Sequence, residues 1–155
     1  MMMKDIKFEK ILIPIDGSTS SFNAVFFTMK FLDIVNFDSK ITICHVISDS
    51  IVKQLAAFQA ESTEQIKNKY RTQAENFFKR IYNEARKRNF PKNFIETEIL
   101  YGDPAEEIVK FSKNYDLIVI ASRGKKKVPQ YMVGHVTERI IKMSKIPVLV
   151  IPPEF

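Results

Sequence analysis

Cysteine occurs once in the 155 residues, tryptophan not at all, glycine four times and histidine twice. Each shortage excludes something. A single cysteine, Cys44, rules out an internal disulfide and fits a reducing compartment. With four glycines there is no GxGxxG and no GxxxxGK, so the common phosphate fingerprints are missing. No apolar run approaches the length of a membrane span, and the opening MMMKDIKFEK lacks the apolar core of a signal peptide. No zinc spacing, heptad run, aromatic–basic ribonucleoprotein motif, internal repeat or linker occurs. What remains is expected to be one soluble domain, residues 1–155, with 45% hydrophobic and 27% charged residues.

The charge is not balanced. The net value is +6, and residues 1–50 carry −1 of it, so the basic excess lies in residues 51–155. A basic balance suits phosphate-bearing ligands, and it equally suits a solvated lysine-rich surface. Without a nucleic-acid motif beside the charge, a nucleic-acid partner is not expected, and no membrane partner is expected either.

Five short apolar runs punctuate the chain: KILIPID (Lys10–Asp16), KITICHVI (Lys40–Ile47), FIETEIL (Phe94–Leu100), DLIVIA (Asp116–Ala121) and PVLVI (Pro147–Ile151). Continuous aliphatic runs fit strands covered on both faces. Helical patterns lie between them. Ser18 is placed to cap a helix with Ala24, Phe27, Phe31 and Val35 on one face. Ile66, Tyr70, Ala74, Phe77, Ile81 and Ala85 form a longer stripe. DPAEEIVKF starts a helix with Asp103 as cap and Pro104 in the first turn. Val136, Ile140 and Met143 mark the last helix. Ser48–Ala60 has no clear period and reads as an excursion. The β-α-β-α-β-α-β-α-β order predicts an open, mainly parallel five-stranded α/β sheet with helices on both faces, Rossmann-like. Ligands of such sheets bind beyond the carboxyl ends of strands, where strand order reverses. That directs attention to PIDGSTSS after strand one and ASRGKKKVPQYMVGH after strand four.

Asp16 either meets ligand hydroxyls or serves as a turn residue in front of a cap. Gly124 permits close backbone approach, and Gly134 starts a helix whose free N–H groups favour an anion. Lys125, Lys126 and Lys127 either add attraction or are solvated. Cys44 and His45 are neighbours on a strand and point to opposite faces, so they do not share a metal. His135 has no acid or nucleophile beside it to complete a catalytic triad.

Together ILIPIDGSTSS, ITICHVI, YGDPAEEIVKF, DLIVIASRG, VGHVTERII and KIPVLVIPP resemble the universal stress protein family across nearly the whole chain. The resemblance implies a small cytoplasmic α/β protein, similar to the adenine nucleotide alpha hydrolases in fold and usually a homodimer. One branch of the family binds ATP through G-x2-G-x9-G-(S/T). Here the register reads Ala121-x2-Gly124-x9-Gly134-His135, with alanine for the first glycine and histidine for the hydroxyl residue. The resemblance implies an adenine nucleotide (ATP, ADP or AMP) as ligand, with or without Mg2+. Asp16 would meet the ribose, Pro14 would line the base pocket and the Val46 backbone would meet adenine. Gly124, Gly134, Val136 and Thr137 would surround the phosphates, and Ala121, Arg123 and His135 complete the implied site. The chain is not expected to be an enzyme beyond slow nucleotide hydrolysis. The alternative is a dimeric interaction module of the same fold that binds no nucleotide. The apolar IPVLVIPPEF end points to pairing through the C-terminal strand.

Overall fold

The computed structural model describes residues 8–35, 38–125, 129 and 132–153. In chain order the elements are β1 (Lys10–Pro14), α1 (Thr19–Val35), β2 (Lys40–Ser48), α2 (Asp49–Gln59), α3 (Thr63–Lys87), β3 (Ile95–Gly102), α4 (Pro104–Phe111), β4 (Leu117–Ala121), α5 (His135–Met143) and β5 (Val148–Ile151). All four strand pairings are parallel, and the spatial order is β3-β2-β1-β4-β5. The five apolar runs are the five strands.

The sheet is covered on both faces. Ile11, Ile13, Ile41, Ile43 and Val119 pack against Phe22, Val25 and Met29 of α1 and Ala74, Phe78 and Ile81 of α3. Leu12, Cys44, Ile118 and Ile120 face the other way, onto Ala105 and Ile108 of α4 and Ile140 of α5. Alternation along each strand therefore feeds two cores, which is why the runs are continuously aliphatic. Cys44 lies in the α4/α5 layer. His45 lies in the α1/α3 layer, edge-on to Phe77 with ring centroids 5.5 Å apart.

Two sequence expectations need correction. Ser48–Ala60 is not an irregular excursion but carries α2, capped by Ser48, whose hydroxyl accepts from the Ile51 N–H. Only Val52 and Ala56 of this helix are buried, while Ile51 and Phe58 face solvent. Apolar residues on both sides blurred its period. The element order thus has two helices, α2 and α3, between β2 and β3. The second correction concerns α1. Its buried face is Phe22, Val25, Met29 and Leu32 together with Ala24, and Phe31 is 42% exposed. A helix with phenylalanine on several sides has no single apolar stripe, so only the sheet decides which side goes inward.

Other helix signals hold. The Ser21 N–H donates to the Ser18 hydroxyl at 3.1 Å, and the Glu106 N–H donates to Asp103 at 3.0 Å. The Glu106 carboxylate reaches Arg139 of α5 at 3.5 Å, and Asp103 pairs with the same guanidinium at 2.9 Å. This joins the starts of α4 and α5 beside the carboxyl edge of the sheet.

Candidate functional site

Strand order reverses between β2-β1 and β4-β5, so the loops after β1 and β4 face each other across the switch point. The first loop turns at Gly17, whose φ of +82° favours glycine. There is also no room for a side chain, because a Cβ at Gly17 would sit 2.2 Å from the Phe77 ring. Beside it, Asp16 is half-buried. One of its carboxylate oxygens accepts the Ser18 N–H at 2.9 Å, and the other accepts the Lys125 N–H at 2.9 Å. Burial alone would push this carboxyl up. The hydrogen bonds from Ser18, Lys125 and Ser21 outweigh it and hold the group below its ordinary range.

The second loop is pinned from several directions. The Lys125 N–H ties it to Asp16. The Gly134 N–H donates to the Ser122 carbonyl at 2.7 Å. The Thr137 hydroxyl, buried, donates to the Ala121 carbonyl at 2.9 Å. Gly124 lies against Asp16: a Cβ there would be 2.2 Å from the carboxylate oxygen. Gly124 is thus required for close approach, and what approaches it is the acid of the first loop. Gly134 caps α5 without a side chain, so the first-turn N–H groups of that helix are open to an anion.

The other residues implied in the site fall around this junction. Pro14 ends β1, buried and paired in register with Cys44. Val46 is half-buried two residues further along β2. Ala121 is buried at the end of β4, and Arg123 is half-buried. His135 opens α5 and is exposed, while Val136 packs against the α4/α5 layer. Asp16, Gly124 and the Ser122–Gly134 backbone are brought together. The Thr137 hydroxyl proton is already committed to Ala121. Lys126 and Lys127 lie outside the described residues.

Lys125 takes a position that its sequence neighbourhood did not signal. Its ammonium lies 5.4 Å from the centre of the Phe77 ring, over the α1/α3 layer. His45, Phe77 and Lys125 form a wall behind the first loop. The His45 Nδ1 is 2.8 Å from the Ile15 carbonyl and so carries the proton. Burial, aided by the nearby Lys125 charge, pulls the His45 pKa down, and this outweighs the opposing Ile15 bond and Asp16. Nothing in the sequence pattern flagged this wall, because Phe77 and Lys125 are far from Gly17 along the chain.

A five-stranded parallel sheet with helices on both faces, its acid-bearing loop and glycine-bearing helix start meeting at the switch point, is an α/β fold of the Rossmann-like kind. A model of the universal stress protein family matches residues 7–152, and the chain belongs to that family. Universal stress protein MJ0531 of Methanocaldococcus jannaschii is 33% identical over 147 residues, 93% of this chain and 82% of that protein. The solved structure of MJ0577 from the same organism superposes with a TM-score of 0.76 at 31% identity, covering 93% of this chain and 95% of that one. Two more distant structures share the fold. One is a universal stress protein in complex with cAMP, with a TM-score of 0.64, 18% identity and 95% and 98% of the two chains covered. The other is from Archaeoglobus fulgidus in complex with dAMP, at 0.56, 14%, 94% and 98%. No helix among the described residues is long and apolar enough to cross a membrane.

Proposed function

We propose that residues 1–155 act as one cytoplasmic stress-response unit that binds an adenine nucleotide across the switch point. The observation that carries this reading is the meeting of Gly124 with Asp16. An anchored carboxylate faces a backbone approach that tolerates no side chain, next to an uncapped helix start. Asp16 accepts from the ribose hydroxyls, Pro14 and the Val46 backbone bound the base, and the α5 N-terminus with Gly124, Gly134 and Val136 receives phosphate. Ala121 and Arg123 border that phosphate end. The Thr137 hydroxyl proton is spent on Ala121, so Thr137 acts through its backbone N–H. Relatives of this fold in complex with cAMP and dAMP support a monophosphate ligand.

His135 stands where the family pattern has a short hydroxyl residue, at the first position of α5. Its ring crowds the outermost phosphate. AMP or ADP therefore binds at least as well as ATP. Among the described residues no group of three or more His, Cys, Asp or Glu is placed to hold a metal. A Mg2+ ion would then ride on the nucleotide phosphates.

Calorimetric titration of AMP, ADP and ATP, with and without Mg2+, tests the site. ATP binding clearly tighter than AMP overturns the role given to His135. Absence of binding by all three favours the interaction-module reading.

The same proposal includes a homodimer through β5. That strand is a sheet edge, and Leu149 on it is 37% exposed. An open apolar edge pairs readily with its own copy about a two-fold axis. Light scattering of a Leu149→Lys variant should report a monomer; a dimer would place the interface elsewhere.

A further inference from the structure

The start of α5 is held from two sides. On one side it hangs on the end of β4, through the Gly134 N–H to the Ser122 carbonyl at 2.7 Å and the Thr137 hydroxyl to the Ala121 carbonyl at 2.9 Å. On the other side it faces α4. Val136 and Ile140 belong there to one apolar cluster with Ala105 and Ile108, and contact of this kind sets the spacing of two helices without fixing a direction. Direction comes from Arg139. Its Nη1 donates to both carboxylate oxygens of Asp103 at 2.9 Å, and its Nη2 lies 3.5 Å from the Glu106 carboxylate.

Both acids sit at the start of α4. Asp103 is its N-cap and accepts the Glu106 N–H at 3.0 Å. The guanidinium therefore bridges two carboxylates placed by one helix, and a planar fork between two such partners has little freedom to turn. The Arg139 hydrogen bond, with help from the Glu106 N–H, holds the Asp103 carboxyl below its ordinary range, so the pair stays ionised at neutral pH. The side chains of Arg139, Asp103 and Glu106 are 29%, 40% and 64% exposed, and exposed ion pairs add little to stability. This clasp is thus better placed to orient α5 than to hold the fold together.

Orientation matters because of what the helix start would hold. Arg139 lies four residues after His135, about 6 Å along the axis. The open N–H groups of the first turn must converge on one anion, and hydrogen bonds weaken steeply when misaligned. A tilt of α5 about its ties to β4 would turn those groups off a phosphate. It would leave Pro14 on β1, Asp16 in the loop after it and Val46 on β2 where they are.

We infer that Arg139 is a positioning residue for the anion site: clasped to Asp103 and Glu106, it fixes the tilt of α5 and so the aim of its N–H groups at a nucleotide phosphate. This rests on the nucleotide reading above and gives a role in it to a residue that reading leaves out.

Positioning and simple charge predict different outcomes for two variants. Arg139→Lys keeps the positive charge and loses the fork. Asp103→Ser keeps a capping hydroxyl, is too short to reach the guanidinium, and removes a negative charge from the helix starts. With α5 aimed by the clasp, both should bind AMP roughly fivefold more weakly than wild type, about the worth of one misdirected hydrogen bond. Adenosine affinity should stay the same and the melting temperature should change little. Calorimetric titration of the full chain with AMP and with adenosine reads both affinities. Arg139→Lys matching wild type, or Asp103→Ser binding AMP more tightly, overturns the inference and leaves only a field effect. Equal weakening of AMP and adenosine overturns it as well, since the clasp would then serve the fold at large. A wild-type chain that binds adenosine and gains nothing from the phosphate overturns the inference and leaves the Asp16 end of the nucleotide reading standing. A wild-type chain that binds neither overturns both.

Discussion

The two loops at the switch point are built in opposite ways. The β1–α1 loop is short and held from within: Gly17 makes the turn, Ser18 caps the helix, and Asp16 bonds back to the Ser18 N–H. The β4–α5 loop is long, closed at its base by its own ends and tethered to the first loop. Lys125 hangs on Asp16, Gly134 on Ser122, and Thr137 on Ala121. A single carboxylate thus serves both loops, as an internal turn residue for one and as the tether of the other. The turn role and the ligand role that the sequence leaves open for Asp16 therefore do not exclude each other. The bonds that make it a turn residue also fix it as an acceptor.

The largest effect should come from breaking the self-contained loop. Gly17→Ala places a side chain at positive φ, at roughly 1–2 kcal/mol, and drives it into Phe77, at roughly another 1–3 kcal/mol. Chemical denaturation should show the combined loss. In a Phe77→Leu background the same substitution should cost less, because the second contribution has gone. Equal costs in both backgrounds would mean that the ring yields freely.

Next comes the shared tether. Asp16→Ala should weaken nucleotide binding by roughly 1.5–3 kcal/mol, the range for a hydrogen bond to a charged group. It should also speed amide exchange at Lys125 while leaving Ser21 protected. Gly124→Ala should give the same pair of signs by displacing the carboxylate. If Lys125 exchange is unchanged in both variants, the tether is not what holds the second loop.

A smaller loss is expected from Thr137→Val, which removes the bond to Ala121 and leaves its buried carbonyl without that donor. About 1 kcal/mol of stability is at stake, measured by thermal melting. Affinity should fall only slightly, since the hydroxyl proton is not available to ligand. A large affinity loss with unchanged melting would put that hydroxyl on the phosphate.

The gentlest probe is pH. His45 has its folded pKa lowered by burial, so the unfolded chain binds more protons below its ordinary value of about 6.5. Stability is full above that value and declines as pH falls toward the folded pKa. Asp16, also lowered in the fold, adds a second decline at more acid pH, as its carboxylate becomes protonated. Melting temperatures from pH 8 to pH 5 should fall, and His45→Gln should flatten that slope. An unchanged slope would assign it to other groups.

Much of this architecture was legible beforehand, for identifiable reasons. Five aliphatic runs marked five strands because each strand is covered on both faces. Ser18 and Asp103 marked helix starts because capping is a local hydrogen bond. The loops after β1 and β4 could be singled out because parallel connections leave few topologies. The inward side of α1 was not legible, since Phe22, Phe26, Phe27 and Phe31 offer competing apolar faces. Nor was α2, where two buried residues are too few to set a period.

Sequence alone determined the five strands, the helices other than α2, and their order along the chain, because propensity, capping and periodicity act between near neighbours. The tertiary structure alone decided that Asp16 bonds Lys125 across 109 positions, that Phe77 closes over Gly17, that the Lys125 ammonium turns toward the α1/α3 layer, and that Phe22 of α1 goes inward while Phe31 does not. Those contacts follow from how two layers of helices settle on a twisted sheet, and packing between distant segments leaves no periodic trace along the chain.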